Sequence, residues 1–318
     1  GDLQVCVAGN VDVLGEEGAV DYVKRVSIDA KDNPERAAAL QEAAMYSADG
    51  KQLYNKEFLE LYQSLGYGIE YVSVAMDKNA NCSREEAARF ADIIKEKNDD
   101  TLSTTMVRKS TDVSEETQLI YFEAGVQNDA ALKVSPEVVD KLADKNQVQA
   151  AVIVRDNAEQ RLSKEEAIVV LQDLSDQIEN CSKDNQLAMH QVVSSSKYEE
   201  VVEHAASNIY KYDKSVQAEA VQATYATGNK NAVNAAMSNY SKMDPDAQVE
   251  IAAAVMSNPK YLSLVKDAMG EEFINDEITI RLIQNESEAR IPKSEKEIMM
   301  EKWNSMTSTE KYSLMCTH

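Results

Sequence analysis

The sequence predicts an all-α protein: an α-solenoid of stacked helical hairpins with a period of about 31 residues, preceded by a helical N-terminal region. Three observations predict it. Only 10 Gly and 5 Pro punctuate 318 residues, too few turn residues for a β-rich fold of this length. Helix-start signals recur along the chain, and a ladder of glutamines recurs with an apolar face behind it. Hydrophobic residues at 43% and charged residues at 28% are the composition of a chain that buries a core, not of a disordered one.

Residues 1–31 carry the weakest pattern, and Leu3-Gln4-Val5-Cys6-Val7 fits a short strand or a helix. Amphipathic helices follow at Asn33 to Ala48 and Asn55 to Leu65, the second with Phe58, Leu59, Leu61, Tyr62 and Leu65 on one side. A third is expected from Ile69 to Met76. Ser/Thr-x-x-Glu capping boxes stand at Ser83–Glu86, Ser163–Glu166, Ser196–Glu199, Ser294–Glu297 and Thr307–Glu310. In each, the hydroxyl can accept a free first-turn N–H while the Glu reaches back to the cap. Asn33-Pro34, Ser135-Pro136 and Asp244-Pro245 pair a capping residue with proline at the first helical position. Gly50, Gly66 and Gly228 sit where helices would stop. The expected division is a helical N-terminal region or cap over 1–82 and a repeat array over 83–318.

The ladder is Gln118, Gln149, Gln186, Gln217 and Gln248, with spacings of 31, 37, 31 and 31. One residue on stand Leu119, Ala150, Leu187, Ala218 and Val249; three on, Tyr121, Val152, Met189, Ala220 and Ile251; four on, Phe122, Ile153, His190, Val221 and Ala252. Apart from His190 these are apolar or aromatic, one buried face in register. Leu119, Ile153, Met189, Val221 and Ile251 are therefore expected to be buried. A second helix follows, with Val202, Val233 and Leu264, then Ala206, Met237 and Ala268, at matching positions. In the unit near Gln149 the six extra residues are expected in a loop at Asn157 to Ser163, with Leu171 then taking the matching place.

Asp244-Pro245-Asp246-Ala247-Gln248-Val249-Glu250-Ile251-Ala252-Ala253-Ala254-Val255 resembles the short HEAT-like repeats of the phycobilisome-lyase type, which open with Asp-Pro and continue in an apolar first helix with an alanine run. Glu250 stands where that family usually carries Arg, and only one unit has Asp-Pro. The resemblance is clearest over residues 184–270 and implies architecture alone. Some HEAT-like proteins hold a di-iron centre through His-Glu pairs; here no His-Glu dipeptide exists, and Glu203-His204 is the reverse order.

Other chemistry finds no footing. There is no HExxH, P-loop or Gly-x-Ser-x-Gly elbow, and Gly66-Tyr67-Gly68 lacks the third glycine of a dinucleotide loop. Paired carboxylates such as Glu16-Glu17, Glu199-Glu200 and Glu271-Glu272 are adjacent on helix starts rather than across a cleft. Trp303 is the sole tryptophan, which counts against an aromatic-lined carbohydrate cleft. Cys6, Cys82, Cys181 and Cys316 form no CxxC pair and read as isolated thiols, with long-range disulfides left open. His190 falls in the core ladder and reads as a hydrogen-bonded interior histidine; His318 is terminal. No catalytic residue, metal site or cofactor is expected.

A net charge of −22 disfavours nucleic acid and anionic membrane surfaces, and no stretch is long and apolar enough to span a bilayer. The chain begins at Gly1 without Met, so the compartment stays open, with the cytoplasm favoured over a secreted or periplasmic setting. The leading reading is a non-enzymatic scaffold for a protein or extended peptide. Its binding residues lie beside the second-helix stripe, on an exposed ridge: His204, Asn208, Ala235, Asn239 and Lys266. Tyr198, Tyr210, Tyr212, Tyr225, Tyr240 and Tyr261 suit either an interface or packing between repeats. The rivals are a helical enzyme with a cleft near residues 80–115, where Arg84, Arg89, Arg108 and Lys109 gather, and a structural helical protein.

Overall fold

The computed structural model describes residues 2–29 and 33–269; the boxes at Ser294 and Thr307, and Trp303, Cys316 and His318, lie outside them. Among the described residues every regular element is helical and no strand occurs. The chain divides into two compact units, Gly1–Val170 and Leu171–His318.

The first unit opens with α1 (Asp2–Ala8), so the ambiguous Leu3–Val7 stretch is helix. A 3-10 turn at Val11–Leu14 leads to α2 (Gly15–Asp29), α3 (Pro34–Ser47), α4 (Gly50–Leu53), α5 (Lys56–Ser64) and α6 (Gly68–Lys78). Asn33 caps α3 by accepting the Arg36 N–H, and Asn55 caps α5 by accepting those of Glu57 and Phe58. Gly50 corrects an expectation: it opens α4 instead of ending α3. Asp49 and Gln52 form a reciprocal capping box there, at 2.8 and 2.9 Å, outside the Ser/Thr–Glu pattern. A Cβ there would stand 2.0 Å from the Asn79 Oδ1, so any other residue would have to displace that side chain, which donates to Ala75 O at 2.8 Å. Buried Gln52 also donates to the carbonyls of Val11 and Gly15, at 2.9 and 3.0 Å, and so pins the N-terminal turn.

The core of this unit is aromatic. Tyr54 stacks on Phe90 at 4.7 Å, and Phe58 meets Tyr62 and Tyr71 edge-on at 5.0 and 5.9 Å. Each buried hydroxyl has a partner: Tyr62 donates to Gln41 O, Tyr71 to Leu53 O, and Tyr54 pairs with Tyr121.

Helices α7 (Arg84–Lys97), α8 (Asp100–Lys109), α9 (Glu115–Gly125), α10 (Asp129–Val134), α11 (Pro136–Val139), α12 (Asp144–Arg161) and α13 (Lys164–Asp176) complete the run. Helix α7 packs on α9, α8 on α6 and α10, and α9 on α12. The boxes at Ser83–Glu86 and Ser163–Glu166 form as expected. Ser135 does not cap Pro136: its backbone is already helical, and its hydroxyl donates to Leu132 O at 2.8 Å. The extra residues near 157–163 are not a loop either. They lengthen α12 to 18 residues, through Asn157-Ala-Glu-Gln-Arg161, a run of mostly good helix formers. Arg161 then anchors that end by donating to Val126 O at 2.9 Å and to Asp129 at 2.6 Å.

The second unit contains α14 (Lys183–Ser194), α15 (Glu199–Ser207), α16 (Lys214–Thr227), α17 (Lys230–Met237), α18 (Pro245–Ser257) and α19 (Pro259–Met269). Helix α16 packs between α14 and α18, and α17 between α15 and α19. Short 3-10 turns precede α14, α16 and α18 at Ile178–Asn180, Ile209–Lys211 and Tyr240–Lys242. Asp244 caps α18 ahead of Pro245, and Gly228, at φ 72°, closes α16. The Ser196–Glu199 box does not form: α15 starts after Tyr198, whose N–H is accepted by the Ser196 hydroxyl.

The glutamines sit at the fourth position of the first helices, four residues after Ser114, Ser182, Asp213 and Asp244. Gln186 Nε2 donates to Glu179 O and Cys181 O, and Gln217 Nε2 to Tyr210 O and Tyr212 O. Their Oε1 atoms accept the N–H of Asp213 and Asp244, the caps of the following first helices, each at 2.8 Å. Gln118 Oε1 accepts the Ala143 N–H at 2.9 Å in the same way. Here the ladder needs correction. Gln149 is exposed, and the clamp belongs to buried Gln147, which donates to Asp140 O and Leu142 O at 3.1 and 3.2 Å. The spacings become 29, 39, 31 and 31. Ile153, Met189, Val221 and Ile251 are buried as expected; Leu119 is half-buried, against that expectation.

Candidate functional site

The second helices α15, α17 and α19 bury the stripe Val202, Ala206, Val233 and Met237, while Leu264 is half-buried. Beside the stripe, His204 and Ala235 occupy matching positions and both are half-buried. Lys266 lies in α19 with its side chain outside the described residues.

The two asparagines do not stand on an exposed ridge. Asn208 is 7% exposed, and its Nδ2 donates to Asp176 Oδ1 at 2.7 Å. Asn239 is half-buried; its Nδ2 donates to Ser207 O at 3.0 Å, while its Oδ1 accepts from Lys242 at 2.8 Å. Asp176 and Ser207 are themselves 31 residues apart, each at the end of the preceding second helix. Both amides therefore join neighbouring helices. The physical reason is position: near a second helix's C-terminus the side chain meets the previous helix before it meets solvent. His204 takes part in the same arrangement, its Nε2 2.8 Å from the Asp176 oxygen that Asn208 also uses.

Among the residues the second helices do expose are Glu199 and Glu200 on α15, and Lys230, Asn231 and Asn234 on α17 with Ser238 at its C-cap. The reading of the ridge from sequence missed the α17 residues, although Asn231 and Ser238 lie one helical turn either side of Ala235.

Behind this face lies a polar core. His190 is fully buried between α14 and α16; its Nδ1 is 3.2 Å from the Tyr212 hydroxyl, and its Nε2 is 3.1 and 3.2 Å from those of Thr224 and Ser194. Burial drives the imidazole down to about 4, so it is neutral, the interior histidine the ladder implies. Burial pushes the Tyr212 and Tyr225 phenols far up. Tyr212, Tyr225 and Tyr240 are packed inside; Tyr198, Tyr210 and Tyr261 are half-buried, with Lys197 and Lys242 over the rings of Tyr198 and Tyr210 at 5.1 and 5.0 Å.

In the first unit, Arg84, Arg89 and Arg108 are exposed, while Lys109 pairs with Asp77 and Asp112 at 3.0 and 3.1 Å. The loop before α7 carries a group that sequence reasoning did not single out. The half-buried Cys82 thiol lies 3.5 Å from the hydroxyls of both Tyr54 and Tyr121, which are 2.7 Å apart. No short-range spacing brings these three residues together, so no sequence signal pointed to them. Cys6, Cys82 and Cys181 are free thiols. Among the described residues no group of three or more His, Cys, Asp or Glu side chains is placed to hold a metal ion, and no helix is long and apolar enough to cross a membrane. Comparison with protein-family models, with curated proteins and with solved structures finds no match to this chain.

Proposed function

We propose that this chain is a HEAT-like helical-repeat scaffold that binds a protein or an extended peptide without catalysing a reaction. Residues 83–170 and 171–269 are then each built from one helix-pair unit with a period near 31, and the second unit is an α-solenoid segment. One observation carries the reading: the glutamine clamp recurs in register, each amide tying its own 3-10 turn to the cap of the next first helix. Repeats joined in this way are rigid where they touch and leave second-helix side chains as the variable surface. His204 and Ala235 remain the candidate contacts, joined by Asn231 and Asn234; Asn208 and Asn239 act by holding that surface in place. Lys266 extends the same position by one repeat.

The test is photo-crosslinking in cells of the native source. A benzoylphenylalanine at Ala235 or Asn234 is compared with one at Glu219 or Glu250, which are exposed on the first helices α16 and α18. The expected result is one shared polypeptide adduct from positions 234 and 235 and none from 219 and 250. No adduct at 234 and 235, or equal labelling at all four positions, overturns the reading.

A further inference from the structure

No further inference is drawn: the strongest candidate, the Cys82 thiol held between the Tyr54 and Tyr121 hydroxyls in the loop before α7, is a lone cysteine, and no second observation in the structure points to a ligand or a reaction partner for it.

Discussion

Gln217 places one carboxamide among three backbone groups: Nε2 donates to Tyr210 O at 3.1 Å and Tyr212 O at 3.0 Å, and Oε1 accepts from the Asp244 N–H at 2.8 Å. Its side chain is buried, so alanine would orphan those groups in a largely buried seam. Leaving buried donors and acceptors unpaired costs about 1–3 kcal/mol apiece, and Gln217→Ala should lower unfolding stability in urea by about 3 kcal/mol. Gln149→Ala, at an exposed position, should stay within about 0.5 kcal/mol of the parent. Equal effects from the two changes would restore the uncorrected ladder. His190 gives a pH dependence of definite sign. Its folded value of about 4 lies below the ordinary histidine value of 6.5, so between the two the unfolded chain binds the extra proton. Its stabilising effect is complete above pH 6.5 and fades as the pH falls toward 4, by about 3 kcal/mol in all. His190→Phe should flatten this slope when urea midpoints at about pH 7 and about pH 4.5 are compared. Parallel slopes in parent and variant would place the titration elsewhere.

Between elements, the tightest glycine contact with backbone among the described residues is at Gly125, the last residue of α9. A Cβ there would meet Val107 Cγ2 at 2.4 Å and Ser103 O at 3.1 Å, both on α8. Gly125→Ala should therefore push α8 and α9 apart and destabilise the chain by about 1–3 kcal/mol, the usual cost of overpacking, read as a lower melting temperature. An unchanged melting temperature would show that α8 yields without loss. Nothing in the local sequence marks Gly125, because the requirement comes from a helix that ends 16 residues earlier. The same distinction separates what was legible from what was not. Helices whose caps are local, at Asn33, Asn55, Ser83, Ser163 and Asp244, can be read directly. Ser135 and Ser196 carry the same chemistry, but the backbone around them turns differently, and no side-chain pattern records that. Gln147 and Gln149 are separable only through the Asp140 and Leu142 carbonyls that Gln147 reaches. Ala150 and Ile153 face inward whichever of the two starts the count. At the candidate site the second-helix stripe was legible from its apolar period. The roles of Asn208 and Asn239 were not, since their partners Asp176 and Ser207 lie 32 residues back.

Across the described residues no Asp, Glu, Lys or Arg is buried: charge stays outside a core that is rich in aromatics in the first unit and that combines aliphatic residues with Tyr212, Tyr225, Tyr240 and the neutral His190 in the second. Ion pairs with both partners exposed, as between Lys133 and Glu166, contribute little to stability. Order within the second unit depends instead on packed helices and on the clamps. This gives the N–H groups of Asp213 and Asp244 an unusual status. A helix cap residue ordinarily turns its amide to water and exchanges its proton quickly. These two are closed off by Gln186 of α14 and Gln217 of α16, so their protons can leave only when α14 and α16, or α16 and α18, part at those ends. In deuterium exchange they should be slow, while Ser215, whose amide is held by the side chain of the exposed cap Asp213, should be fast. Gln186→Ala should speed Asp213 and leave Asp244 slow; fast exchange at both in the parent would contradict the clamp. Two amides 31 residues apart thus become separate clocks, one for the opening of each seam.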